Sequence, residues 1–191
     1  LPGAHQVDNA VTALAALSLL PENLRVSPEA ARAGLREAVW PGRLEWRGNL
    51  LLDGAHNPQG VRALREYAQD FLRDRRVAVL TGSMADKDVA AIAEGIAAIA
   101  DAVVCVSPEH MARAVPAPEL CTLYRGRTDK PVLAAEDTAQ GLRQAQTLAG
   151  EAGVVLGGGS LYLVGEVRRM LESSEWDSRE VETECTFCSC P

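Results

Sequence analysis

Aromatic side chains are scarce, with three Trp, three Tyr and two Phe in 191 residues, so no stacking surface for bases is visible. Lysine is nearly absent as well: Lys87 and Lys130 stand against 17 arginines, and the net charge is −7. A nucleic-acid platform, which shows a basic patch, is thereby excluded. Long apolar runs are missing too. The longest stretches without a charge, 9–21 and 152–165, fall short of the roughly 18 apolar residues that a membrane-crossing helix needs. The opening residues do not read as a secretory leader. There is no Gly-Lys pair anywhere, so the phosphate loop G-x-x-x-x-G-K-[ST] is not here. Of the five cysteines, Cys105 lies in the apolar run Val103–Val106 and reads as a core residue, and nothing resembles a secreted disulfide scaffold. The body therefore reads as cytoplasmic.

What is present is an ordinary globular composition, 47% apolar, which excludes wholesale disorder. The length suits one domain plus a fragment, and the start at Leu1 rather than Met reads as a segment excised from something longer. The charge is unevenly placed. Residues 172–191 hold six acids and Arg179 as their single base, so five of the seven negative charges belong to this tail and the body carries only −2. The arginine and alanine bias is read as base composition, without functional meaning.

Along the chain, 7–20 is Ala- and Leu-rich without Gly or Pro and predicts a helix. Ser27-Pro28 offers an N-cap and a proline at the first turn of a helix over about 28–38. After the break at Trp40-Pro41-Gly42, short strands over 43–47 and 50–53 flank Gly48-Asn49 as a hairpin. An alternation then sets in: helix 58–73, strand 77–81, helix 88–100, strand 103–106, a short helix near 117–124, strand 132–134, helix 138–149, strand 154–156 and helix 160–172. Strands apolar on both faces alternating with helices predict an α/β fold, a doubly wound and mostly parallel sheet over about 41–172. Beyond Leu171 the apolar pattern stops, and the acidic tail reads as disordered.

In such sheets ligands bind beyond the carboxyl ends of the strands. Three turns there carry candidate chemistry. In Asp53-Gly54-Ala55-His56-Asn57-Pro58, Asn57 can cap the next helix, Asp53 can accept from ribose hydroxyls and His56 can reach a ligand; the alternative is that both only shape the turn. In Gly82-Ser83-Met84-Ala85-Asp86-Lys87-Asp88, Asp86 can cap helix 88–100. Gly157-Gly158-Gly159-Ser160 opens a helix whose N-terminus can hold an anion with Ser160 as a further donor, or serves only as a tight turn. Arg43, after Pro41-Gly42, suits a bidentate phosphate contact or a plain surface position. Cys185, Cys188 and Cys190 place three soft ligands close together, but no fourth completes a zinc site, and an oxidisable tail is the simpler reading.

The stretches LPGAHQVDNAVTALAA (1–16), WPGRLE (40–45), LLDGAHNPQG (51–60), GSMADKD (82–88) and GGGSLYLVGEVR (157–168) together resemble the C-terminal part of the folylpolyglutamate synthase / dihydrofolate synthase branch of the Mur ligase family. The match runs in the family's order and covers nearly everything to about residue 172. It implies a Rossmann-like C-terminal domain over 40–172, with 1–39 as the end of a central ATPase domain and linker, and 173–191 outside the family pattern. It also implies an ATP-dependent amide ligase. ATP phosphorylates a folate or dihydropteroate carboxylate, and the amino group of L-glutamate attacks the acyl phosphate.

Carried over by motif, Asn9, Arg43 and Asp53 are expected to contact the nucleotide, while His56 and Ser160 are expected to line the reacting cleft. The implied cofactors are ATP and Mg²⁺, with the magnesium ligands and phosphate loop outside this chain. The implied partners are small molecules only, without nucleic acid or membrane, on a monomer. By itself the chain is expected neither to hydrolyse ATP nor to extend folates. Two other readings stay open: another Mur-type ligase, or a stand-alone nucleotide- or glutamate-binding module.

Overall fold

A computed structural model describes residues 1–173; the tail with Cys185, Cys188 and Cys190 lies outside the described residues. Helix α1 (His5–Ser18), a 3₁₀ turn (Glu22–Leu24) and α2 (Pro28–Glu37) come first. Ser27 caps α2 as predicted, its Oγ accepting from the Ala30 N–H, with Pro28 in the first turn. These helices contribute little to a core: Gln6 is the single buried residue of α1, and α2 has none.

The sheet is built from β1 (Glu45–Arg47), β2 (Leu50–Leu52), β3 (Val77–Thr81), β4 (Ala102–Cys105), β5 (Val132–Ala134) and β6 (Val154–Gly158). Its order is β1-β2-β6-β3-β4-β5. The pair β1–β2 is an antiparallel hairpin in which Arg47 faces Leu50 across Gly48-Asn49, and all other pairings are parallel. Intervening helices are α3 (Pro58–Phe71), α4 (Val89–Ala97), α5 (Ala117–Arg125), α6 (Thr138–Ala149) and α7 (Leu161–Glu172).

Two cores follow from strand alternation. Leu51, Val79, Val103, Val154 and Leu156 point to the face covered by α3, α4 and α5, while Leu50, Leu52, Leu80, Val104 and Val155 point to α6 and α7. Successive right-handed crossovers from β2 through β5 step along one face; the return from β5 to β6 must use the other. The helices that follow β2 and β3 thus lie on one face and the helix that follows β6, between them, on the other, so a crevice opens at the carboxyl ends of these three strands. The expected doubly wound, mostly parallel sheet is what the chain adopts. Cys105 is fully buried in the first core beside Cys121, as its apolar run foretold.

Candidate functional site

Three segments meet at the carboxyl ends of β2 and β6. The first is the turn 40–44, closed by the Arg43 N–H donating to the Trp40 carbonyl at 3.2 Å. Gly42 (φ +70°) and Leu44 (φ +46°) both occupy the left-handed region, and Leu44 does so while buried. A non-glycine residue there carries strain that its surroundings must hold in place. They do: the Leu44 N–H donates to Asp53 Oδ2 at 3.0 Å. The second segment, 53–57, is stitched to the first by the Gly54 N–H donating to the Gly42 carbonyl at 2.7 Å, and to the sheet by the Asp53 N–H donating to the Gly157 carbonyl at 3.0 Å. The third is the triple-glycine turn into α7. Its Gly159 has φ +89°, and a Cβ there would lie 2.5 Å from Thr81 Oγ1. Leu161 lies over Gly54 and Val164 over Gly42, each so close that a Cβ on either glycine would collide.

Asp53 is central. Its Oδ1 accepts from the Ala55 N–H at 2.9 Å and its Oδ2 from Leu44, so it does shape the turn, as the alternative reading held. Burial pushes its carboxyl above the usual aspartate range, outweighing those two N–H groups and the nearby positive charges of Arg43 and His5. Each oxygen keeps a lone pair for another donor. Arg43 is exposed on the same lip and makes no ion pair among the described residues. His56 Nδ1 lies 2.8 Å from the Gly54 carbonyl; a carbonyl only accepts, so Nδ1 carries a proton, and in the neutral ring Nε2 is left as an acceptor. Ser160 is buried and caps α7, its Oγ accepting from the Tyr162 N–H at 3.2 Å, with its own hydroxyl proton still available.

Asn9 is exposed on α1 and donates to Gln6 Oε1 at 2.9 Å, while Gln6 Nε2 pairs with His5 Nε2 at 2.8 Å. His5, one turn earlier, is the α1 residue whose charge reaches Asp53. Arg43, Asp53, His56 and Ser160 therefore stand on segments that meet at these strand ends, and Asn9 lies on α1, bonded to Gln6.

One expectation needs correcting. Asp86 does not cap α4. Asp88 does, its Oδ1 accepting from the Ala91 N–H at 3.1 Å, because only the residue directly before the first turn has its side chain beside that turn's free N–H groups. Asp86 instead bonds Lys87 at 3.3 Å and Arg113 at 3.1 Å. Its slight desolvation works upward, but these two cations hold its carboxyl below the usual range. Reading by motif also gave no part to Arg168. Its Nε sits 3.0 Å from Glu45 Oε2, and Glu45 also accepts from the Gly42 N–H at 2.6 Å. Burial opposes ionisation of Glu45, yet the Gly42 N–H and the guanidinium groups of Arg47 and Arg168 keep its carboxyl low. The signal was available, since Arg168 follows Leu161 and Val164 at helical spacing.

Among the described residues no three His, Cys, Asp or Glu side chains converge to hold a metal ion, and no helix is long and apolar enough to cross a membrane.

The family described as "Mur ligase, glutamate ligase domain" matches residues 42–161. The chain is 33% identical over 177 residues to the dihydrofolate synthase/folylpolyglutamate synthase of Bacillus subtilis, covering 90% of this chain and 40% of that protein. Among solved structures it is similar to Escherichia coli FolC in complex with DHPP and ADP, with a TM-score of 0.77 and 28% identity over 88% of this chain and 39% of that one. It is also similar to a bifunctional folylpolyglutamate synthase/dihydrofolate synthase with Mn, AMPPNP and L-glutamate bound, with a TM-score of 0.74 and 31% identity over 87% of this chain and 40% of that one. The chain thus spans about two fifths of the length of these relatives.

Proposed function

The chain belongs to the Mur ligase family, whose glutamate ligase domain it carries, and on that premise we propose that it serves an ATP-dependent amide ligase that adds L-glutamate to folate, to dihydropteroate or to both. ATP would supply the phosphoryl group that activates the acceptor carboxylate, and the amino group of glutamate would then displace phosphate. In this reading Arg43 contacts nucleotide phosphate, Asp53 the ribose, and Asn9 the nucleotide from α1. His56, with Nε2 as acceptor, and Ser160, with a free hydroxyl proton, face the reacting groups.

The residues fit such a ligand. Arg43 is a guanidinium without an acidic partner among the described residues, and Asp53 is a carboxylate pre-oriented by two backbone N–H groups with lone pairs to spare. They do not form a magnesium site by themselves, so the family's Mg²⁺ would be held elsewhere. Nor does the chain hold a phosphate loop. The purified 191-residue chain is therefore expected to form no glutamyl amide, and ligation by it would overturn this division of labour.

Residues 1–39 would belong to the end of a neighbouring domain. Val7, Val11 and Leu14 form an exposed apolar stripe on α1 that the sheet does not cover. The working form would be a cytoplasmic monomer with small-molecule partners only.

The observation that carries the nucleotide reading is the Gly54-to-Gly42 backbone bond, which sets Arg43 and Asp53 on one lip of the strand-end crevice. Amide NMR spectra test it. Millimolar ADP should shift the signals of 42–44 and 53–57, and R43A should weaken that response by about tenfold. Unmoved signals at those positions would refute it.

A further inference from the structure

Helix α7 touches more of the crevice than its capped N-terminus. Leu161, Val164 and Arg168 follow one another at helical spacing, and they reach Gly54, Gly42 and Glu45 respectively, so one face of the helix aligns the two loops that bear Asp53 and Arg43. A different side of α7 carries Glu166. It is 7% exposed, unusually buried for a glutamate, and no cation lies within ion-pair distance among the described residues. Its Oε2 accepts from the Glu109 N–H at 3.0 Å.

Glu109 lies in the loop after β4, and that loop is zipped to the segment 82–88 after β3. The Val115 N–H donates to the Ser83 carbonyl at 2.9 Å, the Ala85 N–H donates to the Arg113 carbonyl at 2.8 Å, and Arg113 binds Asp86 at 3.1 Å. Segment 82–88 starts against the triple-glycine turn, where a Cβ on Gly159 would lie 2.9 Å from the Gly82 carbonyl. It therefore walls the crevice on the side away from Asp53.

We infer that Glu166 is a positioning residue: it fixes the 107–116 loop to α7 and, through that loop, holds segment 82–88 in register with the Arg43 and Asp53 loops. Glu166 and Glu109 line one cavity with Arg143 and Arg169, so the carboxylate stands at a polar wall and not in either apolar core. What the carboxylate adds is direction, since a hydrogen bond specifies the loop's position where an apolar contact would let it slide. The functional part of this inference rests on the ligase reading; the tether itself does not.

Hydrogen exchange tests the tether without any ligand. In the unaltered chain the Glu109 amide should exchange at least about tenfold more slowly than an unbonded loop amide. In E166L, which keeps bulk but offers no acceptor, the amides of Glu109, Ala85 and Val115 should exchange about tenfold faster while the β3 amides stay unchanged. E166Q, which restores an acceptor, should return them to within about twofold. An unprotected Glu109 amide in the unaltered chain would overturn the inference even if E166L failed to fold. So would unchanged Ala85 and Val115 amides in E166L, or an E166Q variant as loose as E166L. A missing ADP response in the unaltered chain would count against the nucleotide reading alone.

Discussion

At the scale of single residues, Gly159 and Asp53 show two ways in which the crevice departs from ordinary chain. Gly159 combines a positive φ with Thr81 Oγ1 and the Gly82 carbonyl where a side chain would begin. G159A should therefore cost roughly 2–5 kcal/mol, the sum of a left-handed alanine and an overpacked contact, as read by urea unfolding. Asp53 is held ready at the expense of its charge. Because burial raises its folded-state pKa above the unfolded value, the folded chain binds that proton more tightly. Its contribution to stability is complete below the unfolded pKa and is lost as pH rises through the folded one. Urea unfolding at about pH 3 and about pH 6 should show the unaltered chain losing stability relative to D53N at the higher pH. Arg43 opposes the shift, so R43A should move the Asp53 carboxyl titration, followed by carbon NMR, further upward.

At the scale of elements, helix termini do much of the positioning. Asn57 Oδ1 accepts from the Gly60 N–H at 2.8 Å, and Pro58 occupies the first turn, so α3 starts directly beneath the Asp53 loop. N57A should cost about 1 kcal/mol in urea unfolding, and it should loosen the 53–57 amides in hydrogen exchange ahead of those in β2. Capping was legible in the chain for α2 and α3, where Ser-Pro and Asn-Pro pairs announce the first turn. It was misplaced for α4. Asp86 and Asp88 both suit the role, and the choice depends on where the first turn begins, which Arg113 helps to decide by drawing Asp86 toward the 107–116 loop. Helix α7 was legible as an element but not as the piece that aligns three loops, because its contacts with Gly42, Gly54 and Glu109 span 57 to 122 residues of sequence.

At the scale of the whole molecule, the sheet with its two covered faces is complete without the first two helices. A chain of residues 40–173 should unfold cooperatively within about 1–2 kcal/mol of the longer one, since the apolar surfaces of α1 and α2 are largely exposed and little burial is lost. Circular dichroism melts of both chains would check this; a truncated chain that fails to fold would refute the division at residue 40. The exposed Val7, Val11, Leu14 and Trp40 mark where apolar cover is wanting.

The order of strands and helices, the hairpin at Gly48-Asn49, the burial of Cys105 and the placement of Asp53, His56 and Ser160 at strand ends were determined by local sequence. Periodicity, caps and turn residues act over a few positions, and a ligand crevice must lie at the carboxyl ends of parallel strands. The tertiary structure alone decided that β6 inserts between β2 and β3, that Leu44 is strained to reach Asp53, and that Glu166 ties a distant loop to α7. Each of these depends on backbone segments far apart in sequence meeting at hydrogen-bond distance. No local pattern specifies such a meeting; only the closed packing of the whole sheet does.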